Sequence, residues 1–281
     1  MPNIHPTAIV DPQVQLADDV TVGPYCSITG PVTIGPGCRL ISHVVIMGRT
    51  TIGANNTFWP FSVIGGDPQD LKFKGEDSEL IIGDHNDIRE HVTIHKGTAN
   101  GGNVTRVGSH NLIMIGSHVG HDCMLGSHLI MANTVQLAGH VRVEDYAIIS
   151  GASAVHSFVT IGPYAYIGGA TRVARDVPPY MVFEGNPSAV RSVNVVGLSR
   201  RQFPEETIDR LKDAFRLLFK PSADGSGVGR TTEHLANLER HFPDDPHIML
   251  LVNFIRNSAK GMHGRYLEAH RKDSRYHNPV K

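Results

Sequence analysis

Along residues 4–173 an aliphatic side chain returns every six positions. The register runs from Ile4 through Val10, Leu16 and Val22 to Ile64. It resumes from Ile82 to Ile94, and again from Val107 to Val173. It holds 26 positions, of which 24 are Val, Ile or Leu; the other two, Phe58 and Met131, are also apolar. A helix repeats its apolar face near 3.6 residues and a half-buried strand near two, so neither explains a period of six. Glycine often follows the aliphatic position, as in Ile34-Gly35, Ile52-Gly53 and Ile161-Gly162. The residue four further on is often small or β-branched, as in Val32, Cys38 and Val44. The pattern predicts a solenoid in which three short strands and three tight corners make an 18-residue turn, with one aliphatic side chain per corner pointing inward. The hexads amount to almost nine turns, which at strand spacing is a prism roughly 40 Å long.

The register breaks twice, at about 65–80 (GGDPQDLKFKGEDSEL) and at about 98–106 (TANGGNVTR). Both read as loops ejected from the coil, and such loops often carry function. After Val173 the chain becomes Pro- and Gly-punctuated and is expected to leave the coil. Three helices are predicted beyond it, over 204–220, 231–242 and 246–260. The expected layout is a parallel β-helix over 1–185, a small helical domain over 186–264 and a flexible tail over 265–281.

A formal net charge of -1 gives no electrostatic reason to expect a nucleic-acid partner. Three cysteines at spacings that fit no metal motif suggest a reducing compartment. No apolar run is long enough for a transmembrane segment and no leader is evident, so a cytoplasmic protein is expected. Seventeen histidines are more informative, because imidazole titrates near neutral pH.

With residues 18 apart stacked, and the second break counted as seven inserted residues, His95 falls beside His121. His140 and His156 follow on the same corner, and Gly139 lies directly beneath His121. His118 is expected at the adjoining corner. Such a gathering suits acid–base chemistry on a hydroxyl that attacks a thioester. Asp122 follows His121, and strand alternation would point it away from the imidazole. The Gly139 amide is a candidate donor to a developing oxyanion.

The motifs QDLKFKGE, VTIHKGT, HVGHDC, LAGH, AVH and DVPPY…GNP together resemble the bacterial UDP-N-acetylglucosamine acyltransferases over about residues 4–264. The resemblance implies a left-handed parallel β-helix, a homotrimer with sites between subunits, and no cofactor or metal. It implies transfer of an R-3-hydroxyacyl chain from acyl carrier protein to the 3-position of the UDP-amino sugar, the opening step of lipid A synthesis. His121 matches the family's catalytic base. Gln69, Asp70, Lys72, His95, His118, His140 and His156 match substrate-contacting positions, Asn194 and Arg200 match the nucleotide end, and Gly169 matches the position associated with acyl length. Two departures stand out: Ser157 where the family has Gln, and Val196 where it often has Glu. They leave open a paralogue acting on another UDP-amino sugar. A zinc enzyme of the gamma carbonic anhydrase type and a non-catalytic scaffold are the readings from other classes.

Overall fold

The structure is a computed structural model and describes residues 1–220, 231–260, 262 and 264; the expected flexible tail at 265–281 lies outside the described residues. The chain coils into three parallel sheets. The first face starts at Asn3–Ile4, the second at Ile9–Val10 and the third at Gln15–Leu16. Each strand pairs with the strand one turn on, for example Ile28 with Ile46 and Ile113 with Met131, so the 18-residue offset is the sheet register itself. The fold is a left-handed parallel β-helix.

The six-residue register is the core. Val22, Ile46, Ile88, Val119, Leu137 and Ile167 are buried, as are Val32, Cys38 and Val44 two positions before the next register residue. The first turn differs. Ile4 is exposed because no coil covers it. Inside the prism Asn56, Asn86 and Asn111 form a buried ladder. Asn86 Nδ2 donates to Asn56 Oδ1 at 2.9 Å, the Asn111 backbone N–H donates to Asn86 Oδ1 at 2.9 Å, and Asn111 Nδ2 donates to the Gly126 carbonyl.

The corners need positive φ. Many such positions carry rings rather than glycine, including His110, His128, Tyr146 and Tyr164 between the third and first faces, and His140 and Phe158 between the second and third. Left-handed backbone costs an L-residue roughly 1–2 kcal/mol. Stacking of successive rings, 4.6 Å for His128 on Tyr146 and 4.4 Å for His140 on Phe158, offsets part of that cost.

Both insertions leave the corner between the second and third faces. The coil re-enters at Glu79 and at Val104, earlier than the sequence breaks suggested, because Glu79–Ile82 pairs along its full length with Arg49–Ile52 and with Val104–Val107.

The coil also continues past Val173. Val177 bridges to Ile161, and Met181–Glu184 adds a parallel rung beside Tyr166–Ile167. That strand then turns back on Ala189–Val193 as an antiparallel hairpin, so position 185 falls in a turn rather than between two units. Among the described residues four helices follow: α1 (Val195–Arg200), α2 (Glu205–Phe219), α3 (Thr231–His241) and α4 (Pro246–Ala259). The short α1 has no sequence signal beyond its Asn194 cap. The other three match the predicted spans closely. They pack Leu211, Leu235, Ile248 and Leu251 into a second core with Tyr180 and Met181 of the hairpin.

Candidate active site

The histidines gather where the insertions emerge. His95 ends the strand before the second insertion, one position past the Ile94–Val119 pair, and is itself paired with Gly66. His121 leaves the second face one turn later, and Gly139 lies under it: a Cβ there would come within 2.5 Å of His121 Cε1. His140 follows on the next turn and His156 on the one after. They are offset by a residue or two, so they sweep round the corner rather than forming a strict column. His140 accordingly stacks on Phe158, with His156 to one side. His118 differs from expectation. It sits on the same face as His95, not at the adjoining corner, because His118–Val119 pairs directly with Thr93–Ile94. Its ring lies 4.8 Å from that of His95, and its Nδ1 bonds Thr93 Oγ1 at 2.7 Å.

Asp122 overturns the alternation argument. Its φ is 59°, so it belongs to the corner and not to a strand. Its carboxylate folds back to accept His121 Nδ1–H at 2.7 Å. The same group accepts the Thr98 N–H (2.8 Å) and the Thr98 hydroxyl (2.6 Å) from the second insertion. His140 Nε2 lies 3.7 Å away. The Asp122 side chain is 1 % exposed, against 14 % for His121.

Burial works to raise the Asp122 carboxyl, but the hydrogen bonds from His121 and Thr98 outweigh it and hold the group below the usual carboxylate range. A fixed anion thus stands behind His121 and directs its other nitrogen, Nε2, outward. Burial first, then the neighbouring His118 and His121, lowers His95 to about 4. Burial and His121 also lower His118. Both rings are therefore neutral near pH 7 and add no positive charge beside the base. Cys123 lies nearby but is pushed up to about 12 by complete burial, which removes it as a nucleophile.

The first insertion is tied to the second. Glu76 accepts the Ala99 N–H at 3.2 Å, and Lys96 pairs with Asp67 at 3.0 Å beneath the Phe73 ring. In this loop Asp70 accepts the Lys72 N–H in a tight turn, while Gln69 is exposed. Asn194 and Arg200 are not brought to His121 within one chain. Asn194 is buried, caps α1 by accepting from Gly197 N and donates to Tyr164 O, at the corner between the third and first faces. Arg200 is exposed at the end of α1. Gly169 has open space around it: the nearest atom to an added Cβ is Gly151 O at 3.6 Å. Ser157 is half-buried beside His156, whose Nδ1 bonds the Ser157 carbonyl. Thr98, Glu76 and Phe158 were not marked by the sequence. Their signal was position: a corner or insertion residue one turn from a histidine.

An imidazole backed by a buried carboxylate, with no usable thiol nearby, is equipped to take a proton from a hydroxyl. The hexapeptide coil and this dyad define an acyltransferase of the hexapeptide-repeat class. The family model described as UDP N-acetylglucosamine O-acyltransferase, domain 2, matches residues 176–263, and the six-repeat bacterial transferase hexapeptide model matches 31–66. The acyl-[acyl-carrier-protein]–UDP-N-acetylglucosamine O-acyltransferase of Stutzerimonas stutzeri is 44 % identical over 92 % of this chain and 98 % of its own length. That of Verminephrobacter eiseniae is 50 % identical over 78 % of this chain and 84 % of its own. Among solved structures, the Francisella novicida UDP-N-acetylglucosamine acyltransferase superposes with a TM-score of 0.86 at 37 % identity, covering 91 % of each chain. The Moraxella catarrhalis UDP-N-acetylglucosamine O-acyltransferase gives 0.86 at 41 % identity over 91 % of this chain and 97 % of its own. The chain belongs to the acyl-[acyl-carrier-protein]–UDP-N-acetylglucosamine O-acyltransferase family, and it is an O-acyltransferase. The paralogue and zinc-enzyme readings are not favoured by these relatives.

Proposed function

We propose that the chain moves an R-3-hydroxyacyl group from acyl carrier protein to the 3-hydroxyl of UDP-N-acetylglucosamine, the opening step of lipid A synthesis. The observation that carries the chemistry is the His121–Asp122 pair at 2.7 Å, held against the second insertion through Thr98. His121 Nε2 takes the proton of the 3-hydroxyl as its oxygen attacks the thioester carbonyl carbon. The tetrahedral intermediate then expels the carrier thiolate, which receives that proton back from the imidazolium. Asp122 keeps the tautomer with Nε2 bare and stabilises the cation that forms. The Gly139 amide is the donor assigned to the oxyanion.

In this reading Gln69, Asp70 and Lys72 on the first insertion hold the sugar nucleotide. His95, whose buried Nδ1 has no hydrogen-bond partner among the described residues, and His118 meet the sugar. His140, His156 and Ser157 line the acyl path, and Gly169 leaves room for a long chain. Asn194 and Arg200 sit at another corner, so they serve the nucleotide end of a neighbouring subunit's site in a homotrimer. No helix among the described residues is long and apolar enough to cross a membrane, which suits work in the cytoplasm on a carrier-bound acyl group.

A direct transfer assay tests this reading. Acyl carrier protein thioesters of several lengths are offered with UDP-N-acetylglucosamine and with its 3-amino analogue. Acylation of the 3-hydroxyl acceptor is expected, and a protein silent with that acceptor on every thioester would refute the assignment.

A further inference from the structure

Asp122 is held by more than the imidazole it serves. Thr98 donates twice to it, from N–H to Oδ1 at 2.8 Å and from the hydroxyl to Oδ2 at 2.6 Å. His121 shares that same Oδ2. Thr98 is 1 % exposed, so no water replaces these donors. From the preceding turn, Thr105 Oγ1 accepts the Asp122 N–H at 2.8 Å. From the loop side Gly101 closes so near that a Cβ there would fall within 1.9 Å of Asp122 Cγ. The second insertion is thus wrapped on the carboxylate, and its Ala99 N–H donates to Glu76 of the first insertion.

We propose that Thr98 is a positioning residue for the general base: its paired donors fix the plane of the Asp122 carboxylate and share the charge on Oδ2 that His121 would otherwise take alone, tying both insertions to the catalytic pair. The inference rests on the reading of His121 as the base. A carboxylate oxygen that accepts two strong donors gives each less than it would give one. With the threonine hydroxyl removed, Oδ2 serves the imidazole only, and the imidazolium gains stability relative to the neutral ring. A base that stays protonated to higher pH is idle over more of the working range. The other titratable groups facing the pair are His140 against Asp122, His118 and His95 from the strand before, and Glu76 from the first insertion. All of them stay in place in the variants below.

The test is the pH profile of kcat/KM for the full chain and for Thr98→Ala, Thr98→Val and Thr98→Ser, with carrier thioester and UDP-N-acetylglucosamine. Alanine removes the hydroxyl without crowding, valine keeps the volume, and serine keeps the donor. The acid limb is expected to move up by about one pH unit in the alanine and valine variants, with about a fivefold loss at the pH where the wild type is half-active, and to return in the serine variant. An acid limb unmoved in both hydroxyl-free variants overturns the proposal, whatever happens to rate or stability. His121→Ala is assayed in parallel. If it stays active, the assignment of the base fails instead, and the two failures are told apart.

Discussion

Nδ1 of His121 lies 2.7 Å from Oδ2 of Asp122, the next residue in the chain. Adjacent residues on a strand diverge; these two converge because Asp122 turns the corner at φ 59°. The proposed base and the carboxylate behind it are therefore brought together by the corner of one hexad.

His121→Ala removes the proton acceptor and leaves the coil intact, since the ring is not part of the aliphatic core. Turnover is expected to fall at least about 10²-fold with the thermal midpoint little changed. Steady-state kinetics beside a calorimetric scan check both halves.

Asp122→Asn keeps a residue that tolerates left-handed backbone, so the corner survives. The amide cannot accept from Thr98 N–H, Thr98 Oγ1 and His121 Nδ1 together, and one buried donor is left unpaired. We expect a loss of about 10- to 10²-fold in kcat and a lower thermal midpoint. A variant that matches wild type in kcat would remove Asp122 from the mechanism.

Gly139→Ala brings a Cβ to 2.5 Å from His121 Cε1. The near end of this contact is a side-chain ring, so the ring moves and the backbone does not. Activity should drop about tenfold or more while urea unfolding stays close to wild type. The same substitution at Gly169, where the nearest atom is 3.6 Å away, should leave folding unaffected and alter the preferred thioester length.

The His95 ring sets a pH dependence of stability. In the unfolded chain it protonates near 6.5, and in the fold burial lowers it to about 4. The unfolded state therefore binds more protons between these values. Stability is complete above about 6.5 and falls as pH drops towards 4, by on the order of 3 kcal/mol from this ring. Urea midpoints measured at pH 7 and pH 5 should diverge in the wild type and converge in His95→Gln.

His121, Asp122 and His140 lie close enough together to suggest a cation site, yet the Nδ1–H of His121 is already committed to the carboxylate. Transfer activity is expected to survive dialysis against chelator unchanged, and a loss restored by zinc would contradict the proton-transfer chemistry.

The six-residue register by itself determined the three-faced coil, the 18-residue stacking and the meeting of His95, His121 and His140, because a solenoid repeats local information and each hexad needs only its neighbours to be placed. Helices α2–α4 were legible for a similar reason: their apolar stripes and caps lie within one segment. The orientation of Asp122 was not legible, since alternation is a rule for strands and this residue turns a corner. Nor was the hairpin at Met181–Val193 that prolongs the coil, which depends on an antiparallel pairing outside the repeat, whereas the place of His118 on the His95 face follows from the same spacing that sets His95 beside His121. The tertiary structure decided how the second insertion folds back on the Asp122 carboxylate and how the first insertion is tied to the second. That outcome rests on hydrogen bonds from Thr98 to Asp122 and from Ala99 to Glu76, across 24 and 23 positions of chain, and no repeat spacing encodes contacts made by the residues that leave the repeat.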